Sequence, residues 1–188
     1  MGTIINGILG GFSGKVGSVV GTNWRNVDVM RGRSRKRRSG SETPEQIEQR
    51  AKFSLATKFL TAISAVIAFG FKNLSRNETG YNIALAVTLK AVKGTFPELF
   101  IDYTKTLVTK GKLKNAMIPV ASSLEPGTIN FNWTDNSGLS DVMSDDQALL
   151  VAYCESLDLA VYKTAGAVRN SGTDSLAAKP FAGKEVET

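Results

Sequence analysis

The sequence predicts an α+β fold with a glycine-rich N-terminal β segment, two central helices and a C-terminal β-sandwich of the immunoglobulin or fibronectin type. Three observations predict it. Glycine interrupts the first 21 residues at short intervals, and a helix-capping sequence at Thr43 precedes an apolar pattern with helical spacing. Short segments that alternate apolar and polar residues begin near Leu99. We place the boundaries of the three parts at 1–42, 43–97 and 98–188.

The N-terminal segment is typical of short strands joined by tight turns. Val16–Val20 and Asn26–Met30 are rich in β-prone residues. Glycine has no Cβ, so it suits turns, bulges and places where another backbone or ring comes close. Lys15 is followed by Val16, whereas a phosphate-binding loop needs Ser or Thr after its Gly-Lys pair, so we interpret the glycines as packing positions. The residues to which we assign backbone packing or assembly are Gly10, Gly11, Gly14, Gly17, Gly21 and Trp24.

A run of cations follows this segment. Its members are Arg31, Arg33, Arg35, Lys36, Arg37 and Arg38. Three interpretations stay open: the run binds nucleic-acid phosphates, it contacts an acidic protein surface such as that of another copy, or it is a solvated linker. Residues 1–40 carry eight cations and one anion, whereas residues 115–188 carry four cations and ten anions. A basic front and an acidic back favour either an anionic partner or head-to-tail contact between copies.

Two amphipathic helices are predicted in the middle of the chain. Thr43 can cap the first helix, Pro44 suits its first turn, and Gln46 completes a capping box. The apolar residues that then recur at three- and four-residue steps are Ile47, Ala51, Leu55, Phe59, Ala62, Ile63 and Val66. We expect this helix to end at Gly70 and a second helix to cover about Gly80–Lys93.

Short strands are predicted after the helices. The segments concerned are Phe100–Tyr103, Lys105–Thr109, Thr128–Trp133, Gln147–Cys154 and Leu159–Thr164. Their number favours a sandwich that is short of a strand, and another strand could begin at Glu185. An incomplete sandwich would leave an open edge for strand addition from a neighbour. We also expect Trp24 and Trp133 to anchor cores, since large aromatic side chains usually do.

The composition argues against catalysis. The chain has no histidine, which is the commonest general base and metal ligand, and its one cysteine, Cys154, lies in an apolar stretch. We therefore predict that the protein is not an enzyme and has no metal site and no cofactor. The longest apolar stretch, Ala62–Phe71, is far short of the ~20 residues that span a bilayer, and no signal peptide is visible. We expect a chain made in the cytoplasm, without a membrane span, that is found in a virion or a released particle if it assembles.

The order of the motifs resembles that of a known family. Asn6–Gly17, with the sequence NGILGGFSGKVG, is followed by Trp24 and then by the basic run. Phe131–Asn136 and the later pair Asp145-Asp146 carry the same resemblance. The chain is similar, over nearly its whole length, to a domain-of-unknown-function family of Bacteroidota and their phages. That family has no assigned activity, so the resemblance implies no catalytic residues.

Together these features predict a non-enzymatic structural protein that self-assembles into a larger particle or filament, with a virion or phage-derived component as one setting. Its partners would be copies of itself. The alternative is a nucleic-acid-binding or packaging protein that holds phosphates through the Arg-rich segment. Such binding would be independent of base sequence, because no recognition helix accompanies the cations.

Overall fold

The computed structural model describes residues 2–4, 7, 10–24, 26–34, 40, 42–72, 78–139 and 141–188. The chain divides into two units, Met1–Pro44 and Glu45–Thr188. Helices and several antiparallel sheets make up the described part, which confirms the predicted α+β class. Residues 45–97 and 98–188, which the sequence pattern assigns to separate parts, lie together in the second unit.

The first unit contains a four-stranded antiparallel sheet with the order β1-β2-β3-β4. Its strands are β1 (Thr3–Ile4), β2 (Phe12–Val16), β3 (Val19–Trp24) and β4 (Val27–Gly32). The prediction of one strand over Val16–Val20 is wrong, because Gly17 and Ser18 form a turn inside it. Gly17 has a φ of 57°, a backbone region that glycine enters at little cost, so the chain reverses there.

Three helices follow the sheet in the described residues. They are α1 (Pro44–Ala62), α2 (Ser64–Gly70) and α3 (Gly80–Ala91). The prediction of one continuous helix as far as Gly70 is wrong, because the helix breaks at Ile63 and its two parts are bent by 81°. Leu60, Ile63 and Ile67, from both sides of the break, share one core. α3 begins where it was predicted, and the Thr79 hydroxyl caps it by accepting a hydrogen bond from the Asn82 N–H at 3.1 Å.

The strands of the second unit form small antiparallel sheets. They are β5 (Val92–Thr95), β6 (Glu98–Ile101), β7 (Met117–Ser122), β8 (Thr128–Thr134), β9 (Leu150–Cys154), β10 (Leu159–Lys163) and β11 (Thr173–Ala177). β5 and β6 form a hairpin, β9 pairs with β10, and the three remaining strands have the order β11-β8-β7. β5 follows α3 with no residue between them.

The predicted strands with clear alternation are confirmed. β8 covers the predicted alternating segment, and β9 and β10 lie within the segments predicted near 147–154 and 159–164. The strand predicted at Lys105–Thr109 is wrong. A 3-10 helix occupies Tyr103–Lys105, where the Lys105 N–H donates to the Asp102 carbonyl at 3.0 Å and turns the chain.

Strand β9 lies between two hydrophobic cores. Tyr153 and Val151 pack in the core that α1 and α2 build. Leu150, Ala152 and Cys154 point the other way, because side chains alternate along a strand, and they pack in the core shared with β8 and β11. The unit therefore has three layers: the helices, the β10-β9 pair and the β11-β8-β7 sheet. The packing of two sheets around the second core is compatible with an immunoglobulin-like type.

The C-terminal residues extend the middle layer. The Glu187 N–H donates to the Tyr153 carbonyl at 2.8 Å, and the Tyr153 N–H donates to the Glu187 carbonyl at 2.7 Å. The segment near Glu185, where a further strand could begin, thus contributes one antiparallel bridge to β9. Val186, beside that bridge, packs against the second core.

Within the described ranges, no single helix is long and apolar enough to cross a membrane. In the same ranges, α1 and α2 together have the length and apolar composition of a membrane span, but they are bent by 81°. The buried side chains of that pair, such as Leu60, Val66 and Ile67, already pack in the core of the second unit.

The tight packing around β9 predicts that added volume there is costly. Ala152 has no exposed surface, so Ala152→Leu should lower the free energy of unfolding by about 1–3 kcal/mol through overpacking. Ala177→Leu, at an exposed position of β11, is the matched control and should change it by less than about 0.5 kcal/mol. Urea unfolding followed by circular dichroism measures both, and equal effects would contradict the two-core arrangement.

The buried phenol of β9 predicts a loss of stability in alkali. Burial, together with the carboxylates of Asp158 and Glu155, raises the pKa of Tyr153 to about 12. An unfolded tyrosine ionises at about pH 10, so the folded state holds this proton more tightly. The free energy of unfolding therefore falls as pH rises from about 10 to about 12. Tyr153→Phe keeps the ring and should flatten the fall between about pH 10 and pH 12 in chemical unfolding. An unchanged slope in the variant would contradict this assignment.

Candidate interaction surface on the N-terminal sheet

The described residues offer no cluster for metal or nucleophilic chemistry. No group of three or more His, Cys, Asp or Glu among them could hold a metal ion. Cys154 is buried in the second core, where its Sγ lies 3.2 Å from the Ser156 hydroxyl oxygen. A hydroxyl is too weak a base to activate a thiol. The exposed surfaces of the described residues are therefore the candidate functional sites.

The N-terminal sheet has almost no interior. Of the residues described in the first unit, only Gly21 is buried. All six residues of β4 are exposed. Sheets in stable domains bury at least one face against another layer. Among the described residues of the first unit, no second layer of helix or sheet accompanies this sheet.

Apolar side chains are exposed on both faces of the sheet. The strand register places one set, here called the Trp24 face, on one side: Ser13, Lys15, Val20, Thr22, Trp24, Val27, Val29 and Arg31. The other set, the Phe12 face, consists of Ile4, Phe12, Val16, Val19, Asn23, Asp28 and Met30. Trp24 is 46% exposed and Met30 is 70% exposed, so each face presents apolar surface to solvent.

The two predicted tryptophan anchors differ. For Trp24 the prediction of a core position is wrong, because its side chain on β3 is 46% exposed. Trp133 is half-buried on β8, and its indole Nε1–H donates to the Arg169 carbonyl at 2.8 Å.

The glycines predicted to have backbone roles lie along β2, β3 and their turns. A Cβ on Gly21 would lie 2.6 Å from the Phe12 ring, so the ring packs directly on the β3 backbone. At Gly11 the space of a Cβ is filled by the Asp28 carboxylate, which also accepts a hydrogen bond from Asn23 at 2.8 Å. Gly14 pairs with Gly21, Gly17 forms the β2–β3 turn, and the Gly10 N–H donates to the Gly7 carbonyl at 3.0 Å.

Two members of the basic run are described. Arg31 lies on β4 and Arg33 follows it, and both are exposed. On the Trp24 face, Arg31 and Lys15 flank Val20 from opposite neighbouring strands. Arg35, Lys36, Arg37 and Arg38 lie outside the described residues, and the role of the run stays a prediction.

Strand β4 is a free edge of its sheet. The Arg33 N–H donates to the Ser18 carbonyl at 2.8 Å and continues the β3–β4 ladder. Hydrogen-bonded pairs recur at every second residue of such a ladder, so Asp28, Met30 and Gly32 direct their N–H and C=O groups outward. The edge strand β7 is different, because a bulge and Pro119, which has no N–H, interrupt it.

One comparison with known proteins gives a match. The family of unknown function DUF6266 matches residues 11–188, which include β2 to β11. The chain belongs to this family. No curated protein and no solved structure matches it.

A buried arginine, Arg169, joins several loops of this DUF6266 member. Arg169 is 7% exposed and was not predicted from the sequence. Its guanidinium donates to the Asn136 side chain at 2.7 Å and to the Lys114 carbonyl at 3.1 Å, and its Nε lies 3.3 Å from an Asp146 carboxylate oxygen. The motif residues Asn136 and Asp146 thus hold a buried arginine that ties three loops together. In the sequence, the one sign of this buried arginine is that Arg169 is the single charged residue in the segment 164–173.

The packing of Phe12 on Gly21 predicts a local effect of mutation. Gly21→Val should displace the ring and speed amide hydrogen exchange in β2 and β3 by at least about tenfold, while the main thermal transition of the second unit stays in place. Gly32→Val is the matched control, because nothing lies within 4 Å of the added Cβ. Equal exchange in the two variants would contradict the proposed contact.

Proposed function

We propose that this DUF6266 member is a non-enzymatic structural protein that assembles with copies of itself into a larger particle or filament. The observation that carries the proposal is the N-terminal sheet with apolar side chains exposed on both faces. Each square ångström of apolar surface removed from water contributes about 25 cal/mol. Side chains such as Trp24, Val27 and Met30 therefore favour a partner that covers them.

The sheet also needs a partner for its own order. A small single-layer sheet is marginal in water, because backbone pairing alone does not offset the lost chain entropy. Gly21 is the one buried residue among those described in the unit, so the sheet gains little from its own packing. Contact with further copies would supply a covering layer for its exposed apolar side chains. Self-assembly thus accounts for a sheet that the isolated chain stabilises poorly.

The proposed setting is a virion or a released particle built from chains made in the cytoplasm. The resemblance to proteins of Bacteroidota and their phages supports this setting. So does the surface chemistry, since a shell or filament needs contact surfaces rather than a catalytic pocket. The immunoglobulin-like region would form its rigid body, with the N-terminal sheet as the contact element.

Size measurement tests self-assembly. Light scattering after size-exclusion chromatography at low salt should show particles of many copies, with the ratio of absorbance at 260 and 280 nm read on the same peak. A protein-like ratio is expected for assembly through protein contacts alone. A monomer at high protein concentration would overturn the proposal.

The alternative function is sequence-independent nucleic-acid binding. One arrangement favours it: Lys15 and Arg31 share a face of the sheet with the exposed Trp24, and cations beside an aromatic ring suit a single-stranded nucleic acid.

Replacing Lys15, Arg31 and Arg33 with Gln should then reduce the salt slope of single-strand binding, which is the fall of log affinity with log salt concentration, by about 2. Gln at Lys110, Lys112 and Lys114, a cluster of lysines in the second unit, is the matched control. Equal salt slopes for the two triple variants would count against binding through the sheet.

A further inference from the structure

We propose that the N-terminal sheet of one copy docks on the acidic C-terminal third, residues 115–188, of a second copy. Assembly would then be head-to-tail. This inference rests on the proposed self-assembly and names the surface that the sheet contacts. Three properties of the chain carry it: the edge and exposed faces of the sheet, the division of charge, and two carboxylates of the second unit, Glu155 and Glu187, that lie outside the ion pairs among the described residues.

The sheet provides the apolar and hydrogen-bonding half of the contact. The outward N–H and C=O groups of Asp28, Met30 and Gly32 pair with no other described strand, and this edge has neither proline nor bulge. Val27 and Val29 are exposed on the strand that carries this edge. A partner surface can therefore gain both backbone hydrogen bonds and apolar burial from the same strand.

Charge selects the partner surface. The first unit carries eight cations and two anions, so two copies of the sheet repel each other. Residues 45–114 carry eleven cations and five anions and would repel the sheet as well. Residues 115–188 carry four cations and ten anions and are the only part of the chain with a net negative charge. Opposite charges both steer two copies together and disfavour the wrong contacts.

Part of this negative charge gathers beside exposed apolar residues. Glu155 and Glu187 both lie close enough to the Tyr103 phenol to raise its pKa, in addition to the larger effect of burial. Both carboxylates are exposed, and neither takes part in the ion pairs found among the described residues. Leu157 and Leu159, on the adjoining turn and strand, are each 44% exposed. A basic sheet with exposed valines matches this combination of charge and apolar surface.

The contact joins two different surfaces, which decides the form of the assembly. Each copy that docks its sheet on a neighbour still presents its own acidic surface to a third copy. Such heterologous contacts close into a ring if the rotation between copies permits, and otherwise continue as a filament. A pair of identical sheets would instead stop at a dimer.

Reversal of charge on each surface tests the inference. Lys15, Arg31 and Arg33→Glu alters the sheet, and Glu155→Lys with Glu187→Lys alters the acidic surface. We expect each variant alone to raise the concentration needed for assembly by at least about tenfold in sedimentation velocity at low salt. Mixing the two variants should restore assembly, because each then offers the charge that the other needs.

Two further variants serve as matched controls. The first, Lys110→Glu with Lys112→Glu and Lys114→Glu, makes the same change of charge as the sheet variant but away from the sheet. The second, Glu45→Lys with Glu98→Lys, makes the same change of charge as the acidic variant but away from the acidic third. Both should assemble like the unmodified chain, and thermal unfolding should confirm that every variant folds.

The outcomes separate this inference from the proposed function. A monomeric unmodified chain would overturn both. An assembling chain whose sheet variant or acidic variant also assembles normally would overturn head-to-tail docking and leave self-assembly standing. Failure of the mixture to assemble, when each variant is folded and monomeric, would likewise overturn the pairing of these two surfaces.

Discussion

Strand β9 has a hydrophobic core on each side, and the second unit depends on this double burial. Burial of one face already specifies the register of a strand, and a slip of β9 would disturb two cores together. The aromatic ring of Tyr153 packs edge-on against Phe59 at a centroid distance of 5.0 Å on the helical side. Ala152 and Cys154 leave room for the sheet on the other side because they are small. Helices and sheets therefore hold one another in place through the β10-β9 pair, in which Ala160 and Val161 of β10 also face the first and the second core.

Elements with local, regular patterns could be predicted, and elements set by distant contacts could not. The helical pattern that begins at Gly80 and the strict alternation of β8 lie within a few residues of the structure that they specify. The break at Ile63 does not, because the apolar spacing continues across it and the residues on both sides pack with distant parts of the chain such as Ile101 and Tyr153. β7 was missed because its bulge and Pro119 remove the alternation that marks a strand.

The candidate site shows the same division. Glycines could be assigned to packing from their residue type, since their effect is steric and local. The exposure of Trp24 could not be predicted, because a β-prone aromatic residue has the same sequence pattern whether or not a layer covers it. The burial of Arg169 could not be predicted either, since its partners Asn136 and Lys114 lie 33 and 55 residues away in the sequence. Buried charges are specified by networks, which single-sequence patterns do not reveal.

The irregular edge of β7 has a consequence for unintended pairing between copies. A regular edge strand is a template for pairing with another chain. Ile118, with a φ of 48°, and the neighbouring Pro119 interrupt the edge of β7, whereas the edge of β4 carries no such irregularity. The irregularity of β7 thus disfavours strand addition at that edge of the second unit and leaves β4 as the more regular of the two edges.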